Sequence, residues 1–354
     1  DLHSTSRRQR QMCIRDSLDI AIEHSIGIEG LAGSTVMVTG ATGTIGSFIA
    51  DMFLRANQTI GLGINVVVTS RNLDKLIEQY SFWNDKNLSF FEYDMFKDIS
   101  FDVSVDYVVH AAGNAHPTTF NRDPVGTIWG NIKGTYNLLE YCKSCKGKRF
   151  LYVSSGEVYG QGDLSVEEFE EKYAGYIDIL SPRSCYPSSK RAVENLCASY
   201  YSQYGLETLI VRPCHTYGPG ITMTDSRANA QFFRNVLNGE DIVMKSAGTQ
   251  LRSYNYVADC ASAILTVLFN GEAGQAYNIA NPKVRITIAQ LADIIAKKSG
   301  RKVVFVNPSA TDIINRTPIV KQVLCSKKLE ALGWIEAFSA DLGIENTLAI
   351  LQGK

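Results

Sequence analysis

Residues 36–46 read Val36-Met-Val-Thr-Gly40-Ala-Thr-Gly43-Thr-Ile-Gly46, a short apolar run that leads into three glycines spaced three residues apart. A run compatible with a helix, Ser47-Phe-Ile-Ala-Asp-Met-Phe-Leu, follows directly. The order of strand, glycine turn and helix is the context that a dinucleotide-binding turn requires. The alternative is a glycine-rich loop that joins two elements without holding a ligand.

Each glycine of this turn has its own physical role in a dinucleotide site. Gly40 permits the tight bend, Gly43 lets a pyrophosphate approach the backbone, and Gly46 lets the helix pack closely against the strand. The start of the helix presents free N–H groups and a positive dipole end to the phosphates. The predicted cofactor-binding residues of the turn are Gly40, Thr42, Gly43, Thr44, Ile45 and Gly46.

Composition and charge limit the classes of protein to which this chain can belong. A chain of 354 residues with 45% hydrophobic and 20% charged residues is ordinary for a globular enzyme of one large domain or two. The net charge of -1 gives no reason to expect a nucleic-acid or membrane partner. Eight scattered cysteines indicate reduced thiols and a cytoplasmic protein. Cys142 and Cys145 resemble half a zinc motif, but no second pair matches them, so we predict no metal site.

The N-terminal segment differs from the rest of the chain. It contains the basic run Arg7-Arg-Gln-Arg-Gln, and no apolar signal-peptide core follows it. We expect residues 1–17 to be disordered or foreign to the protein, and a short amphipathic helix to lie near residues 18–28.

The second predicted strand, residues 62–70, ends in a way that leaves the choice of cofactor open. Dinucleotide sites usually carry an acidic residue there, which binds the adenosine ribose. This chain has Ser70 and Arg71 instead. An arginine at this position suits the 2′-phosphate of NADP, so the sequence allows NADP as well as NAD as the cofactor. The alternative is that Arg71 is a solvated side chain at the end of the strand. Asn72 and Asp74 are the other candidates for binding the ribose hydroxyls.

The ends of the next strands supply further candidates. Asp94 ends the third strand and is placed to meet the adenine edge. The fourth strand opens into Ala111 and Ala112, whose small side chains let a nicotinamide-side ribose pack against the backbone. His110 is interpreted as a packed residue without chemistry. Because strands alternate with helical patterns, the sequence predicts an α/β fold with a doubly wound parallel sheet.

Residues after the fifth strand form a candidate catalytic group. Tyr186 and Lys190 are four residues apart, so on a helix they project from one face. A tyrosine with a pKa near 10 is a poor base at pH 7. The Lys190 ammonium, helped by an oxidised nicotinamide, is expected to favour the phenolate. Ser155 is placed to donate a hydrogen bond to the same substrate hydroxyl. The alternative is a routine surface pair of tyrosine and lysine.

Several motifs occur together: Gly40-x-x-Gly43-x-x-Gly46, Ser155, Val158-Tyr-Gly160, Tyr186-x-x-x-Lys190 and Arg212-Pro213…Tyr217-Gly-Pro219. They resemble the extended short-chain dehydrogenase/reductases, in particular the NAD-dependent nucleotide-sugar epimerase, dehydratase and decarboxylase family. The resemblance runs from about Gly33 to the C-terminus. It implies a Rossmann domain that holds NAD tightly, a smaller interleaved C-terminal substrate domain, and catalysis by Ser155, Tyr186 and Lys190.

The same resemblance implies a domain division. The NAD(P)-binding domain is expected over residues 18–212, with residues 251–278 returning to it. The nucleotide-sugar domain is expected over residues 213–250 and 279–354. The family commonly forms homodimers through two helices of each subunit.

Within the family, Gly156-Glu157 is the most informative pair. The 4,6-dehydratases have an Asp-Glu pair there, so dehydration is disfavoured. The Pro182-Arg183-Ser-Cys-Tyr186 stretch and the segment around Arg252 resemble UDP-glucuronate decarboxylases, which form UDP-xylose. Glu157 is predicted to be catalytic, or else a structural partner of an arginine. Arg252 is predicted to hold the sugar carboxylate, or else the diphosphate.

Alternatives to decarboxylation remain open in the sequence. They are 4-epimerisation or 4,6-dehydration of a nucleotide-sugar, NADPH-dependent reduction of a 4-ketosugar, and a dinucleotide-sensing role without catalysis. The resemblance also implies the substrate-binding residues His215, Arg227, Arg252 and Arg316. His215 stands where the family usually has an asparagine that contacts the diphosphate.

Overall fold

A computed structural model describes residues 7–113, 115–221, 225–309 and 319–353. Its helices are α1 Arg7–Glu23, α2 Thr44–Ile60, α3 Leu73–Tyr80, α4 Pro117–Arg122, α5 Pro124–Ser144, α6 Cys185–Tyr204, α7 Ala228–Leu237, α8 Val257–Asn270, α9 Ile288–Ser299, α10 Lys327–Glu330 and α11 Ala340–Gln352. None of the helices in these ranges is long and apolar enough to cross a membrane.

The strands are β1 Thr35–Thr39, β2 Asn65–Ser70, β3 Leu88–Glu92, β4 Tyr107–His110, β5 Arg149–Val153, β6 Glu207–Pro213, β7 His215–Tyr217, β8 Ile242–Met244, β9 Leu251–Tyr256, β10 Ala276–Ile279, β11 Arg285–Thr287, β12 Val303–Phe305 and β13 Lys321–Gln322. A seven-stranded parallel sheet has the order β10-β6-β5-β4-β1-β2-β3. The predicted α/β fold with a doubly wound parallel sheet is therefore confirmed.

The strand order fixes where a ligand binds. The chain leaves β1 for β2 and β3 on one side, then returns to β4 on the other. The crevice between β1 and β4 is thus the point where the winding reverses, and ligands of open α/β sheets bind there, outside the carboxyl ends of the strands. The glycine turn follows β1 at this position.

Successive side chains of β1 point to opposite faces of the sheet and pack into two different hydrophobic cores. Val36 and Val38 face the core formed with α2 and α8, whereas Met37 faces the core formed with α5 and α6. All three side chains are fully buried. Helices therefore cover both faces of the sheet, as an all-parallel sheet requires.

A second, smaller sheet stands beside the first. Its strands have the order β11-β9-β13, and β7 also pairs with β9. The prediction that residues 251–278 return to the nucleotide domain is therefore wrong for residues 251–256, which form β9 in the smaller sheet. The same prediction agrees with the structure for β10, because β10 pairs with β6 in the large sheet. The reason is that β9 pairs with β7 rather than with an edge of the large sheet.

Residues 1–17 were expected to be disordered or foreign to the protein, and a short helix was expected near residues 18–28. In the described part of this region, α1 begins at Arg7 and ends at Glu23, so a helix replaces the expected disorder from Arg7 onward. Ser17 is 1% exposed, and its hydroxyl lies 3.0 Å from the Tyr256 hydroxyl on β9. Burial of Leu18 and Ala21 against the main core explains why the helix is retained.

Candidate active site

The glycine turn has the geometry that was predicted for it. Gly40 has φ 69°, and a Cβ atom there would lie 2.7 Å from the Ala111 oxygen and from the Ala112 nitrogen. A Cβ atom on Gly46 would lie 2.5 Å from the Gly40 oxygen. Both positions therefore require glycine, one for the bend beside β4 and one for close packing of helix against turn.

The helix that follows the turn offers donors to an anion. Gly43 is the N-cap residue of α2, and no side chain caps the helix there. The first N–H groups of an α-helix have no partner within the helix, and they carry the positive end of the dipole. The turn thus fits the pyrophosphate of a dinucleotide.

A cavity of about 550 Å³ extends from this turn across the ends of β1, β2 and β4. The predicted residues that line it are Gly40, Thr42, Gly43, Ser70, Arg71, Ala111 and Ala112. The sequence analysis missed other lining residues, namely Lys75, Tyr93, Met95, His116, Thr118, Thr119 and Arg122. Most of these come from α3, from the segment after β3 and from α4, so only tertiary packing brings them to the cavity.

Asp94 does not line this cavity. Its carboxylate accepts a hydrogen bond of 3.0 Å from the Phe96 N–H, and its neighbours Tyr93 and Met95 line the cavity instead. The prediction that Asp94 meets the adenine edge is therefore not supported by the geometry. The segment after β3 turns at Asp94, and that turn uses the carboxylate to satisfy its own backbone.

A second cavity, of about 190 Å³, adjoins the first at Gly40 and Gly43. The predicted residues that line it are Thr44, Ile45, Gly46, Ser155, Tyr186, Lys190 and Arg227. Ser155 follows β5, and Tyr186 and Lys190 lie in the first turns of α6. The structure thus brings the predicted catalytic group to the end of the sheet beside the glycine turn.

Lys190 is held in place by the main chain of β5. Its Nζ donates a 2.9 Å hydrogen bond to the Val153 carbonyl and lies 4.6 Å from the centroid of the Tyr152 ring. Burial lowers the pKa of Lys190 to about 8, and Glu194, one turn further along α6, acts in the opposite direction.

Tyr186 is 6% exposed and stacks on Phe120, with ring centroids 4.5 Å apart and an interplanar angle of 10°. Burial and, to a smaller extent, the Glu157 carboxylate raise the pKa of Tyr186 to about 12, and the nearby Ser155 hydroxyl acts in the opposite direction. This direction is opposite to the one expected from Lys190 alone, because burial of the phenol outweighs the neighbouring cations. The Ser155 and Tyr186 side chains line the same cavity.

A third cavity, of about 280 Å³, continues from the catalytic group toward the smaller sheet. The predicted residues that line it are Glu157, His215, Arg227 and Arg252. Arg316 lies outside the described residues. Glu157 and three predicted substrate-binding residues therefore line one cavity. The three substrate-binding residues are a histidine and two arginines.

Glu157 pairs with Arg183, which the sequence analysis quoted as part of a motif without giving it a role. The Arg183 guanidinium donates two hydrogen bonds of 3.0 Å, one to each carboxylate oxygen of Glu157. Both side chains are mostly buried, at 17% exposure for Arg183 and 22% for Glu157. A bidentate pair of this kind fixes the orientation of the carboxylate. It agrees with the interpretation of Glu157 as the partner of an arginine, and its catalytic role stays a prediction.

Arg252 is 1% exposed and is held by backbone carbonyls. Its Nη1 donates to the Leu251 and Val320 oxygens, each at 3.0 Å, and its Nη2 donates to the Ile319 oxygen. A guanidinium has five N–H donors. Among the described residues, these bonds use three of them, so donors remain for a ligand in the cavity.

His215 is expected to make stability depend on pH. Its Nδ1 is buried without a hydrogen-bond partner among the described residues. Burial, together with the neighbouring charges of Arg252 and Arg227, lowers its pKa to about 3. Below pH 6.5 the unfolded chain takes up a proton that the folded chain does not, so the free energy of unfolding falls as the pH falls.

The variant His215→Asn removes this contribution. Between pH 7 and pH 5, we expect the free energy of unfolding to fall less for the variant than for the wild type. The two slopes differ by at most about 1.4 kcal/mol per pH unit, the value for one proton. Urea unfolding at a series of pH values measures the two slopes. Parallel slopes for the wild type and the variant would contradict the prediction.

The fold and these cavities together define a class: an NAD-binding α/β enzyme of the short-chain dehydrogenase/reductase type. The chain belongs to the NAD dependent epimerase/dehydratase family, whose sequence pattern matches residues 36–280. NAD is the cofactor of this family, and the uncapped helix start and close-packed glycines of the turn suit its pyrophosphate.

Named relatives are similar over most of the chain. UDP-glucuronic acid decarboxylase 6 of Arabidopsis thaliana is 32% identical over 303 residues, which cover 84% of this chain and 83% of that protein. UDP-glucose 4-epimerase of Thermus thermophilus, solved in complex with NAD, is 25% identical with a TM-score of 0.73, covering 90% of this chain and 99% of that chain.

A third relative is known as a complex with substrate. UDP-glucuronic acid 4-epimerase of Bacillus cereus, solved with UDP-glucuronic acid and NAD, has a TM-score of 0.74 and covers 90% of this chain and 98% of that chain. Its sequence is 22% identical, so this likeness concerns the fold.

Proposed function

We propose that this protein decarboxylates a UDP-linked uronic acid, with UDP-glucuronate as substrate and UDP-xylose as product. The observation that carries the proposal is the position of Arg252. It lies buried in the cavity that continues from Tyr186 and Ser155, with donors left for a carboxylate. The 32% identity to a UDP-glucuronic acid decarboxylase supports the same reaction.

The first step removes a proton from the sugar C4 hydroxyl. When bound, NAD accepts a hydride from C4 and gives it back at the end of the turnover. Tyr186 takes the hydroxyl proton, and Ser155, which lines the same cavity, orients the same hydroxyl. Lys190 supplies positive charge one turn away on the same helix, which stabilises the phenolate as it forms.

The second step breaks the bond between C5 and the carboxylate carbon. Once C4 is a ketone, the carboxylate is β to it, so CO₂ leaves and the electron pair of the broken bond forms an enolate conjugated with C4. Arg252 holds the carboxylate before this step. C5 then takes up a proton from solvent water, and we assign its delivery to the side of the cavity where Arg183 holds Glu157. Tyr186 gives its proton back to the C4 oxygen as the hydride returns to C4.

The direct test is incubation of the purified protein with UDP-glucuronate, followed by mass spectrometry of the nucleotide-sugar. We expect a product lighter by one CO₂, with the dinucleotide unchanged in amount. A product of unchanged mass would overturn decarboxylation in favour of 4-epimerisation, the reaction in the name of the Bacillus cereus relative. Consumption of NADPH in equal amount to product would instead indicate a 4-ketosugar reductase.

We also propose that two copies of the chain associate through α5 and α6. Exposed apolar side chains lie along one face of α5, at 76% exposure for Val125, 55% for Trp129 and 48% for Tyr136. Their spacing of four and seven residues places them on one side of the helix. Tyr201 and Tyr204 of the adjacent α6 are also exposed, at 41% and 49%. Together these residues offer a second copy an apolar surface.

The variant Trp129→Glu tests the dimer. A charge at the centre of a buried apolar interface is costly to desolvate, so we expect the variant to elute as a monomer in size-exclusion chromatography with light scattering. Leu342→Glu is the matched control, because Leu342 is 42% exposed on α11, away from this surface. A monomeric wild type, or a Trp129→Glu protein that remains dimeric, would rule the interface out.

A further inference from the structure

The adenosine end of the cofactor cavity carries an unusual distribution of charge. Arg71, Lys75 and Arg122 line the cavity of about 550 Å³, and no Asp or Glu is among its described lining residues. None of these three cations forms an ion pair with a carboxylate in the described parts of the chain. Their charge is therefore available to a ligand.

The position of two of these cations identifies the part of the ligand that they meet. Arg71 directly follows β2, which pairs with β1 along its whole length. Lys75 lies in the first turn of α3. In parallel dinucleotide-binding sheets, the residue at the end of this strand meets the adenosine ribose. Arg71 and Lys75 thus stand where the 2′ position of that ribose is bound.

The other candidates for the ribose hydroxyls do not line this cavity. The Asn72 side-chain oxygen accepts a 2.8 Å hydrogen bond from the Lys75 N–H, so it caps α3. Asp74 is not among the lining residues. The cavity therefore lacks the carboxylate that hydrogen-bonds free ribose hydroxyls in NAD sites, and it has an arginine, which accommodates a 2′-phosphate.

We propose that Arg71 and Lys75 bind a phosphate on the 2′ oxygen of the adenosine ribose, so that the protein binds NADP at least as tightly as NAD. A phosphate monoester carries close to two negative charges at pH 7 and presents three acceptor oxygens. The planar guanidinium of Arg71 matches such an anion with two parallel hydrogen bonds. The proposal concerns only the cofactor cavity, and it holds whether or not the sugar is decarboxylated.

Two pairs of probes isolate the phosphate. NADP and NAD differ only at this position, and so do 2′,5′-ADP and 5′-AMP. Isothermal titration calorimetry of the full chain with each probe measures the affinities without any turnover. We expect 2′,5′-ADP to bind about tenfold more tightly than 5′-AMP, and raised salt to reduce that difference.

The variant Arg71→Ala is expected to weaken the binding of NADP much more than the binding of NAD, and so to remove most of this preference. Lys86→Ala is the matched control, because Lys86 is an exposed cation that does not line the cavity. Weaker binding of NADP than of NAD by the wild type would overturn the proposal. Equal losses for both dinucleotides in Arg71→Ala would overturn it as well. Neither result would affect the mass-spectrometric test of decarboxylation.

Discussion

The variant Tyr186→Phe is expected to lower kcat by about 10²–10⁴-fold, the usual contribution of a positioned general acid or base. Phenylalanine keeps the ring that stacks on Phe120 at 4.5 Å, so packing at this position is preserved. Only the hydroxyl is lost, and with it the group that takes the C4 proton. Dinucleotide affinity is expected to stay unchanged, because the glycine turn is not altered.

Two measurements make this prediction specific. Initial rates with UDP-glucuronate give kcat, and calorimetric titration with the dinucleotide gives its affinity. Tyr201→Phe is the control, since Tyr201 lies on the same helix with 41% of its surface exposed. If Tyr186→Phe retained a kcat near that of Tyr201→Phe, the phenol would have no role in proton transfer, and the proposed reaction would fail with it.

The variant Gly40→Ala is expected to weaken both folding and dinucleotide binding. Its Cβ atom would lie 2.7 Å from backbone atoms of Ala111 and Ala112, which cannot rotate away as a flexible side chain can. The left-handed conformation, φ 69°, adds strain of about 1–2 kcal/mol. Relief of the clash requires β1 to move away from β4, which would displace the turn that holds the pyrophosphate.

Gly33→Ala separates these two effects. Gly33 also has a positive φ, 68°, but a Cβ atom there would meet nothing within 4 Å. Both variants carry the conformational strain, and only Gly40→Ala carries the clash. Urea unfolding is expected to show Gly40→Ala less stable than Gly33→Ala by about 1–3 kcal/mol. Equal stabilities would mean that the close approach of β1 and β4 is not rigid.

Much of the fold could be predicted because its signals are local. The strand, turn and helix around Gly40 are specified by neighbouring residues, and the spacing of Tyr186 and Lys190 places both on one face of α6 wherever that helix packs. The alternation of strands and helices then restricts the sheet to a parallel, doubly wound form. The family resemblance, carried by these same motifs, was confirmed.

Other features could not be predicted in the same way. Asp94 was predicted to meet the adenine edge from its place at a strand end, whereas only the fold shows that its neighbours Tyr93 and Met95 line the cavity and that one of its carboxylate oxygens accepts the Phe96 N–H. Arg183 belongs to a quoted motif, yet only the fold brings its guanidinium within 3.0 Å of Glu157, 26 residues earlier in the chain. The raised pKa of Tyr186 likewise depends on burial, which the spacing of two residues does not reveal.

The sequence by itself determined the parallel sheet, the glycine turn at its centre and the family, and it predicted the catalytic group. Each of these follows from residues close together in the chain, whose geometry helices, strands and turns dictate. Only the tertiary structure decided which side chains share a cavity: Arg252 with Glu157 near the catalytic group, and Arg122 with Arg71 at the adenosine end. Packing between distant segments sets those distances, and with them the burial and the charge on which the chemistry depends.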